Sequence, residues 1–252
     1  MMNAVSLPIA VQLWSIREDC KSDFAASLKK VAEMGYDGIE TAGFCGLSAT
    51  EVAQRIADAG LRVEGAHVGI EAILSANLRK TMDDYAAIGC RRLIVPWIGG
   101  PWTETSDGWK RFLAAMNLAA EDLSAEGFEL GYHNHDFEFR YGAALDIVPI
   151  QEMIRGFSSK VRFQFDMGWV YAAGVDGVAL ARRNVGRVCS IHAKAFKKGD
   201  NAAYVGEDDI PWGEVINASA AAGADWIVVE HECYADTPMN CIRRDLANLR
   251  KR

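Results

Sequence analysis

The sequence predicts a (β/α)8 TIM barrel, a single domain over residues 1–252, and three observations carry that prediction. Short apolar runs alternate with longer amphipathic ones eight times along the 252 residues, the pattern of strands separated by crossover helices. Several amphipathic runs end in a glycine just before the next apolar run, as in MGYDG, AGLRV, IGCRR, EGFEL and AGADW. A left-handed helix cap leading straight into a strand has this signature. The apolar runs carry hydrophobic residues at consecutive positions, as parallel strands buried on both faces do. An open doubly wound sheet is the competing architecture. Its first strand is usually followed by a glycine-rich phosphate loop, and QLWSIREDC has no glycine.

In chain order the predicted strands are IAVQLW (9–14), YDGIE (36–40), RVEGAHV (62–68), RLIVPW (92–97), ELGYHNH (129–135), VRFQFD (161–166), VCSIHA (188–193) and WIVVEH (226–231). The intervening helices are predicted over 23–34, 48–59, 72–88, 107–126, 145–156, 175–184 and 211–222, with a last one over 239–251. Apolar residues recur in them at helical spacing, as at Phe24, Leu28 and Val31.

Half the residues are hydrophobic and the net charge is −7. Basic residues gather only in short runs, with pairs such as Arg91-Arg92, Arg182-Arg183 and Lys197-Lys198 read as solvated helix ends. A nucleic-acid partner needs a basic face, so none is expected. No apolar run approaches the ~20 residues of a membrane span, and MMNAVSLPIAVQLW lacks the basic start of a signal peptide. The six cysteines form no CxxC pair. Reduced thiols in a cytoplasmic protein are therefore expected.

Barrel enzymes build their sites at the C-terminal ends of the strands. Read at those ends, the sequence offers Glu40, His67, Trp97, His133-Asn134-His135 with Glu138 beyond, Asp166, His192 with Lys194, and Glu230 with His231. All five histidines lie at or next to such ends. Taken singly each residue has a structural explanation: a helix cap for Asp166, a salt-bridge partner for Glu40, a hydrogen-bonded histidine elsewhere. Taken together they form one ring, because the barrel closes these ends on each other. Carboxylates and imidazoles converging in a low-dielectric mouth need a cation to join them. Oxygen and nitrogen donors without a thiolate suit one divalent ion, Mn2+, Co2+, Mg2+ or Zn2+. His133 and His135, two apart, point to one face of a strand.

The stretches QLWSIRED, GYDGIETAGF, GLRVEGAHVG, GYHNHDFEF, FQFDMGWVYAAGVD, CSIHAKAF, AYVGEDDIPW and DWIVVEHE run from residue 12 to 232. Together they resemble the xylose isomerase-like TIM-barrel superfamily of sugar phosphate isomerases and epimerases, which also includes inosose dehydratases and AP endonucleases. The resemblance implies one metal held from strands 5 to 8, with Asp166, His192 and Glu230 on the last three positions. Many relatives have glutamate where His133 stands, so the strand-5 ligand is His133, His135 or Glu138, with Glu138 preferred. Two further departures are HAKA, with Ala195 where relatives often carry an acid, and VGED, with Asp208 where they often carry glycine.

The implied chemistry is isomerisation or epimerisation of a sugar or cyclic polyol through an enediolate. Glu230 and Glu138 are the candidate bases, and Trp14, Glu40, His67, His133, His135 and Lys194 the candidate substrate contacts. Trp97 and Trp169 could wall the sugar's apolar faces. A dehydratase on the same scaffold is the alternative, since the YHNH stretch resembles strand 5 of inosose dehydratases and both reactions share the first proton abstraction. A DNA-repair endonuclease and a non-catalytic sugar-binding barrel are the remaining alternatives. The first needs a trinuclear zinc cluster and a basic surface. The aromatics would also serve a homo-oligomer, for which the sequence gives no subunit count.

Overall fold

Eight parallel strands close into a barrel in sequence order in the computed structural model, which describes residues 6–142 and 147–251. They are β1 (Ile9–Gln12), β2 (Gly38–Thr41), β3 (Arg62–His67), β4 (Arg92–Val95), β5 (Glu129–His133), β6 (Val161–Asp166), β7 (Val188–Ala193) and β8 (Ile227–Val229). β1 pairs with both β2 and β8, so no edge is left open. The predicted barrel is the observed one. Several strands end earlier than their apolar runs suggest. Trp14 falls in a 3-10 turn (Leu13–Ile16), and His135 and Glu230 lie just past β5 and β8.

The main helices around the barrel are α1 (Phe24–Met34), α2 (Ala49–Ala59), α3 (Ser75–Ala87), α4 (Ser106–Ala125), α5 (Pro149–Gly156), α6 (Gly177–Arg183), α7 (Trp212–Ala221) and α8 (Pro238–Leu249). The predicted run 72–88 breaks at Leu74, whose extended backbone separates a short turn (Ile70–Ile73) from α3. Of the predicted run 145–156, residues 145 and 146 lie outside the described residues. Asp23 caps α1 by accepting from the Ala26 amide, and Ser48 and Glu51 form a reciprocal capping box on α2. Gly35 ends α1 at φ 93°, a conformation that costs a residue with a Cβ.

Apolar packing lies between strands and helices, where Leu28, Val31, Phe112, Tyr132 and Phe163 are fully buried. Inside the barrel the filling is polar instead. Gln12, Glu40, Gln164, Ser190 and His192 are all inaccessible, where many barrels stack branched aliphatic layers. Glu40 on β2 and Gln164 on β6 meet across the lumen at 2.6 Å. The strand registers shift beside both residues, between Ile39 and Glu40 and between Phe163 and Gln164. Such irregularities re-aim side chains. Among the described residues no helix is long and apolar enough to cross a membrane. All six cysteines are free thiols.

Candidate metal centre at the barrel mouth

The site is built upward from Glu40. Its Oε2 accepts from Gln12 Nε2 at 2.6 Å, and its Oε1 from Gln164 Nε2 at 2.6 Å. His192 Nε2 and His67 Nε2 lie 2.7 and 3.0 Å from Oε2. Burial works against the charge on Glu40, but His67 and His192 override it and hold the carboxyl well below its ordinary range. An ionised carboxylate only accepts. His192 therefore donates Nε2–H downward and turns Nδ1 upward, 3.2 Å from Glu230 Oε2 and 3.9 Å from Asp166 Oδ2.

His133 is set in the same way. Gln164, whose amide nitrogen is spent on Glu40 and Ser190, offers its carbonyl oxygen to His133 Nδ1 at 3.2 Å. That leaves Nε2 directed to Asp166 Oδ2 at 4.0 Å. Burial, with His192 and His67 adding to it, holds His133 well below its usual value, so it is neutral. Asp166 Oδ1 accepts from the Trp169 amide at 2.9 Å, but Oδ2 is buried without a hydrogen-bond partner. Burial pushes this carboxyl up to about 7, against the pull of Lys194.

Donor atoms of His133, Asp166, His192 and Glu230 all lie within 4.8 Å of one another. The fit to a divalent cation rests on three features: an orphaned carboxylate oxygen, two imidazoles whose inward nitrogens are freed by their outer hydrogen bonds, and a set of oxygen and nitrogen donors. Burial opposes a charge on His192, yet Glu40 and Glu230 hold its imidazolium well above the ordinary value. This is the response of a carboxylate cluster that calls for positive charge.

Glu138 is not brought to this group. A 3-10 turn (Phe137–Phe139) folds it back under β5, where Tyr132 OH donates to Oε1 at 2.7 Å and the His135 amide to Oε2 at 2.8 Å. It has no accessible surface, and burial pushes its carboxyl up to about 7. Glu40, expected at the substrate, is likewise sealed beneath the two histidines. Asn134 points sideways: its Oδ1 accepts from the Asp166 amide at 3.1 Å, tying the end of β5 to the end of β6. His135 reaches the mouth beyond the strand, 5.1 Å from the His133 ring and 5.7 Å from Trp169.

Burial opposes ionisation of Glu230, but Lys194 and His192 hold it well below its usual range. Lys194 Nζ lies 3.7 Å from Glu230 Oε2, pairs with Glu232, and sits 4.7 Å over the Trp169 ring. Gly168 permits this, since a Cβ there would lie 2.7 Å from the Lys194 carbonyl oxygen. The fifth histidine, His231, serves packing. Its Nδ1 meets Asp245 on α8 at 2.8 Å and its Nε2 the Cys233 carbonyl at 3.0 Å. Sequence reading missed Gln12, Gln164 and Glu232, and it placed Asn134 at the end of β5 without giving it a role. A glutamine flanked by apolar residues in each of two strands, Val11 and Leu13 around Gln12 and Phe163 and Phe165 around Gln164, was the available signal for the first pair.

The chain belongs to the xylose isomerase-like TIM barrel family, whose profile matches residues 28–252. Its fold is similar to that of a sugar phosphate isomerase/epimerase from Parabacteroides distasonis, with a TM-score of 0.86, 24% identity, and 98% of this chain and 99% of that one covered. A 3-keto-D-glucoside 4-epimerase from E. coli is similar at 0.71 and 15%, covering 98% and 100%. A probable 3-DHS dehydratase from Bacillus anthracis is similar at 0.71 and 12%, also covering 98% and 100%. No curated protein sequence matches the chain.

Proposed function

We propose that the chain is a divalent-metal-dependent isomerase or epimerase of a sugar or cyclic polyol, with His133, Asp166, His192 and Glu230 as the ligands. The observation that carries this is the pair of imidazoles with preset inward nitrogens facing the orphaned Asp166 Oδ2. The bound ion, Mn2+, Zn2+, Co2+ or Mg2+, supplies Lewis-acid polarisation of a carbonyl and its neighbouring hydroxyl. Trp14 and Trp97, 45% and 58% exposed, wall the cavity above it. Sugar rings present apolar faces that suit such walls. His67 and His135 line the same cavity and would contact substrate hydroxyls.

Glu230 is the base in this reading. It enters ionised, with Lys194 beside it to offset charge that develops on the substrate. It takes the proton alpha to the carbonyl; a proton returned to the neighbouring carbon gives the isomer, and one returned to the opposite face of the same carbon gives the epimer. Dehydration is the second reading, and the ligand set itself favours keeping it. The strand-5 ligand is an imidazole, so the cluster offers one glutamate base, enough to start an elimination. Epimerisation needs a second group on the opposite face, a role that falls to His67 or His135. The chain is read as one barrel domain in the cytoplasm, with no nucleic-acid partner.

The test is proton NMR of candidate ketoses and inososes in D2O with the metal-loaded enzyme. Exchange of the alpha hydrogen is expected, and Glu230→Gln should lose it while still binding sugar. A new enone signal assigns dehydration. No exchange over the whole panel sinks the enzymatic reading. His133→Ala should strip the metal, whereas Glu138→Gln should leave it bound. The reverse result would return the strand-5 ligand to Glu138.

A further inference from the structure

A second cavity opens on the far side of Glu230. It has a volume of about 320 Å3 and is walled by Trp169, Ala172, Ala195, Phe196 and Ala203. The cavity over the metal ligands has about 400 Å3, and the two share only Glu230 and Glu232 among their lining residues. Both His133 and Glu230 face the first cavity, so the reacting atoms belong there. The second reaches Glu230 but none of the other three ligands, and the only further group of the proposed chemistry in its lining is Lys194, which stands beside Glu230. Each volume lies near the lower end for a ligand pocket, about 300 Å3, which suits one ring per cavity.

The lining says what kind of ring. The walls are aromatic and alanine. Ala195 adds neither bulk nor charge to this cavity. Three carboxylates, Glu230, Glu232 and Asp200, face Lys194 and Lys197. Lys194 is already committed to Glu232 and Glu230. This balance is wrong for a phosphate, which needs convergent free donors.

We propose that the substrate has two parts: a keto-sugar ring that reacts in the tryptophan-walled cavity, and an uncharged ring joined to it that lies in the second. The chain then acts on glycosides in preference to free sugars or sugar phosphates. The proposal rests on the metal-dependent sugar chemistry above. The second ring is an aryl aglycone or another sugar, which share an uncharged body with an apolar face.

The experiment compares a free keto-hexose, its methyl glycoside, its phenyl glycoside, the matching keto-disaccharide and the sugar phosphate. Two quantities are read on the metal-loaded protein: kcat/KM for alpha-hydrogen exchange, and Kd from tryptophan fluorescence. We expect the phenyl glycoside, the disaccharide or both to exceed the methyl glycoside by about tenfold or more, the effect of burying one ring. The better of the two identifies the second ring. Ala195→Leu and, independently, Ala172→Phe fill the second cavity and should bring that ratio down toward one, with metal content kept. Equal values for methyl and larger glycosides, a ratio insensitive to both substitutions, or preference for the phosphate would overturn the proposal. Exchange failing everywhere while fluorescence still shows the ring preference and its loss in Ala195→Leu would sink the enzymatic reading and leave the two-part site standing.

Discussion

At the N-terminal ends of the strands Arg92 binds three carboxylates, whereas at the C-terminal ends three carboxylates converge around imidazoles with no guanidinium among them. Arg92 reaches Glu64 at 2.7 Å, Glu129 at 2.6 Å and both oxygens of Asp225 at 2.9 Å. Arg162 adds a second cation on Glu129. Below, the positive charge is a covalent part of the chain and fixed in a planar fork. Above, Glu40, Asp166 and Glu230 are held in place by amides and imidazoles, with Lys194 beside Glu230. Each end leaves one buried carboxylate oxygen without a partner, Asp166 Oδ2 above and Glu64 Oε2 below. The two clusters use similar residue types. What separates them is how far the chain's own cations reach: below, Arg92 touches all three carboxylates, whereas above, Lys194 stands beside Glu230 alone, so the lower end reads as stability and the upper as a place for something exchangeable.

The sharpest break of this contrast pairs one substitution at each end. Asp166→Ala should lose bound metal altogether, measured by elemental analysis of protein purified without chelator, while its fold persists. Equal metal in both proteins would refute the assignment. Arg92→Met should do the opposite. It leaves Glu64 buried with no partner, which costs about 3–5 kcal/mol and lowers Tm by on the order of 10 °C, with metal content per folded chain retained. If Arg92→Met loses metal as fully as Asp166→Ala, the two ends are not separate.

A smaller effect is expected at Glu40, which acts on the centre only through His192 and His67. Glu40→Gln should weaken metal affinity about 10–100-fold, the usual range for a partner behind a ligand, without abolishing it. Competition with a fluorescent chelator measures it. An unchanged affinity would mean that Glu40 only fills the lumen.

The smallest effect is a pH slope at the lower end. Burial and the nearby Glu40 push Glu64 up to about 7, above its ordinary 4.5, with Arg92 pulling the other way. The folded state therefore holds this proton more tightly than the unfolded one. Its contribution to stability is full below about 4.5 and is lost as pH rises through about 7. Glu64→Gln cannot titrate and should lose less stability between pH 5 and 8 than the parent. Denaturant midpoints at several pH values, with chelator present throughout, give the comparison, and parallel slopes would refute it.

The barrel was legible because its signals are local: strand runs, helical spacing and capping glycines each occupy a few residues. The meeting of Asp166, His192 and Glu230 at the mouth was legible as well, since position at a strand end places a side chain there whatever its neighbours do. Which strand-5 residue joins them was less so. Alternation puts His133 and His135 on one face, but β5 stops at His133, and the turn after it decides that Glu138 folds back to Tyr132. Nothing within the run GYHNHDFEF announces that fold-back. The polar lumen was also hidden. Gln164 finds Glu40 across 124 positions of sequence, and Gln12 finds it across 28. Partners that distant leave no periodic trace.

The side chain of Asn134 continues the β5–β6 pairing past the point where the backbone ladder stops, with Oδ1 on the Asp166 amide and Nδ2 near the Asp166 carbonyl. It lies between the last histidine of the strand and the start of the long connection to α5. Whatever that connection does, Asp166 on β6 takes its position from Asn134 and not from the loop. The connection is thus an interchangeable part: a designer could graft a different loop after residue 139 to present new side chains over the mouth, and the cluster of His133, Asp166, His192 and Glu230 beneath would not need to be built again.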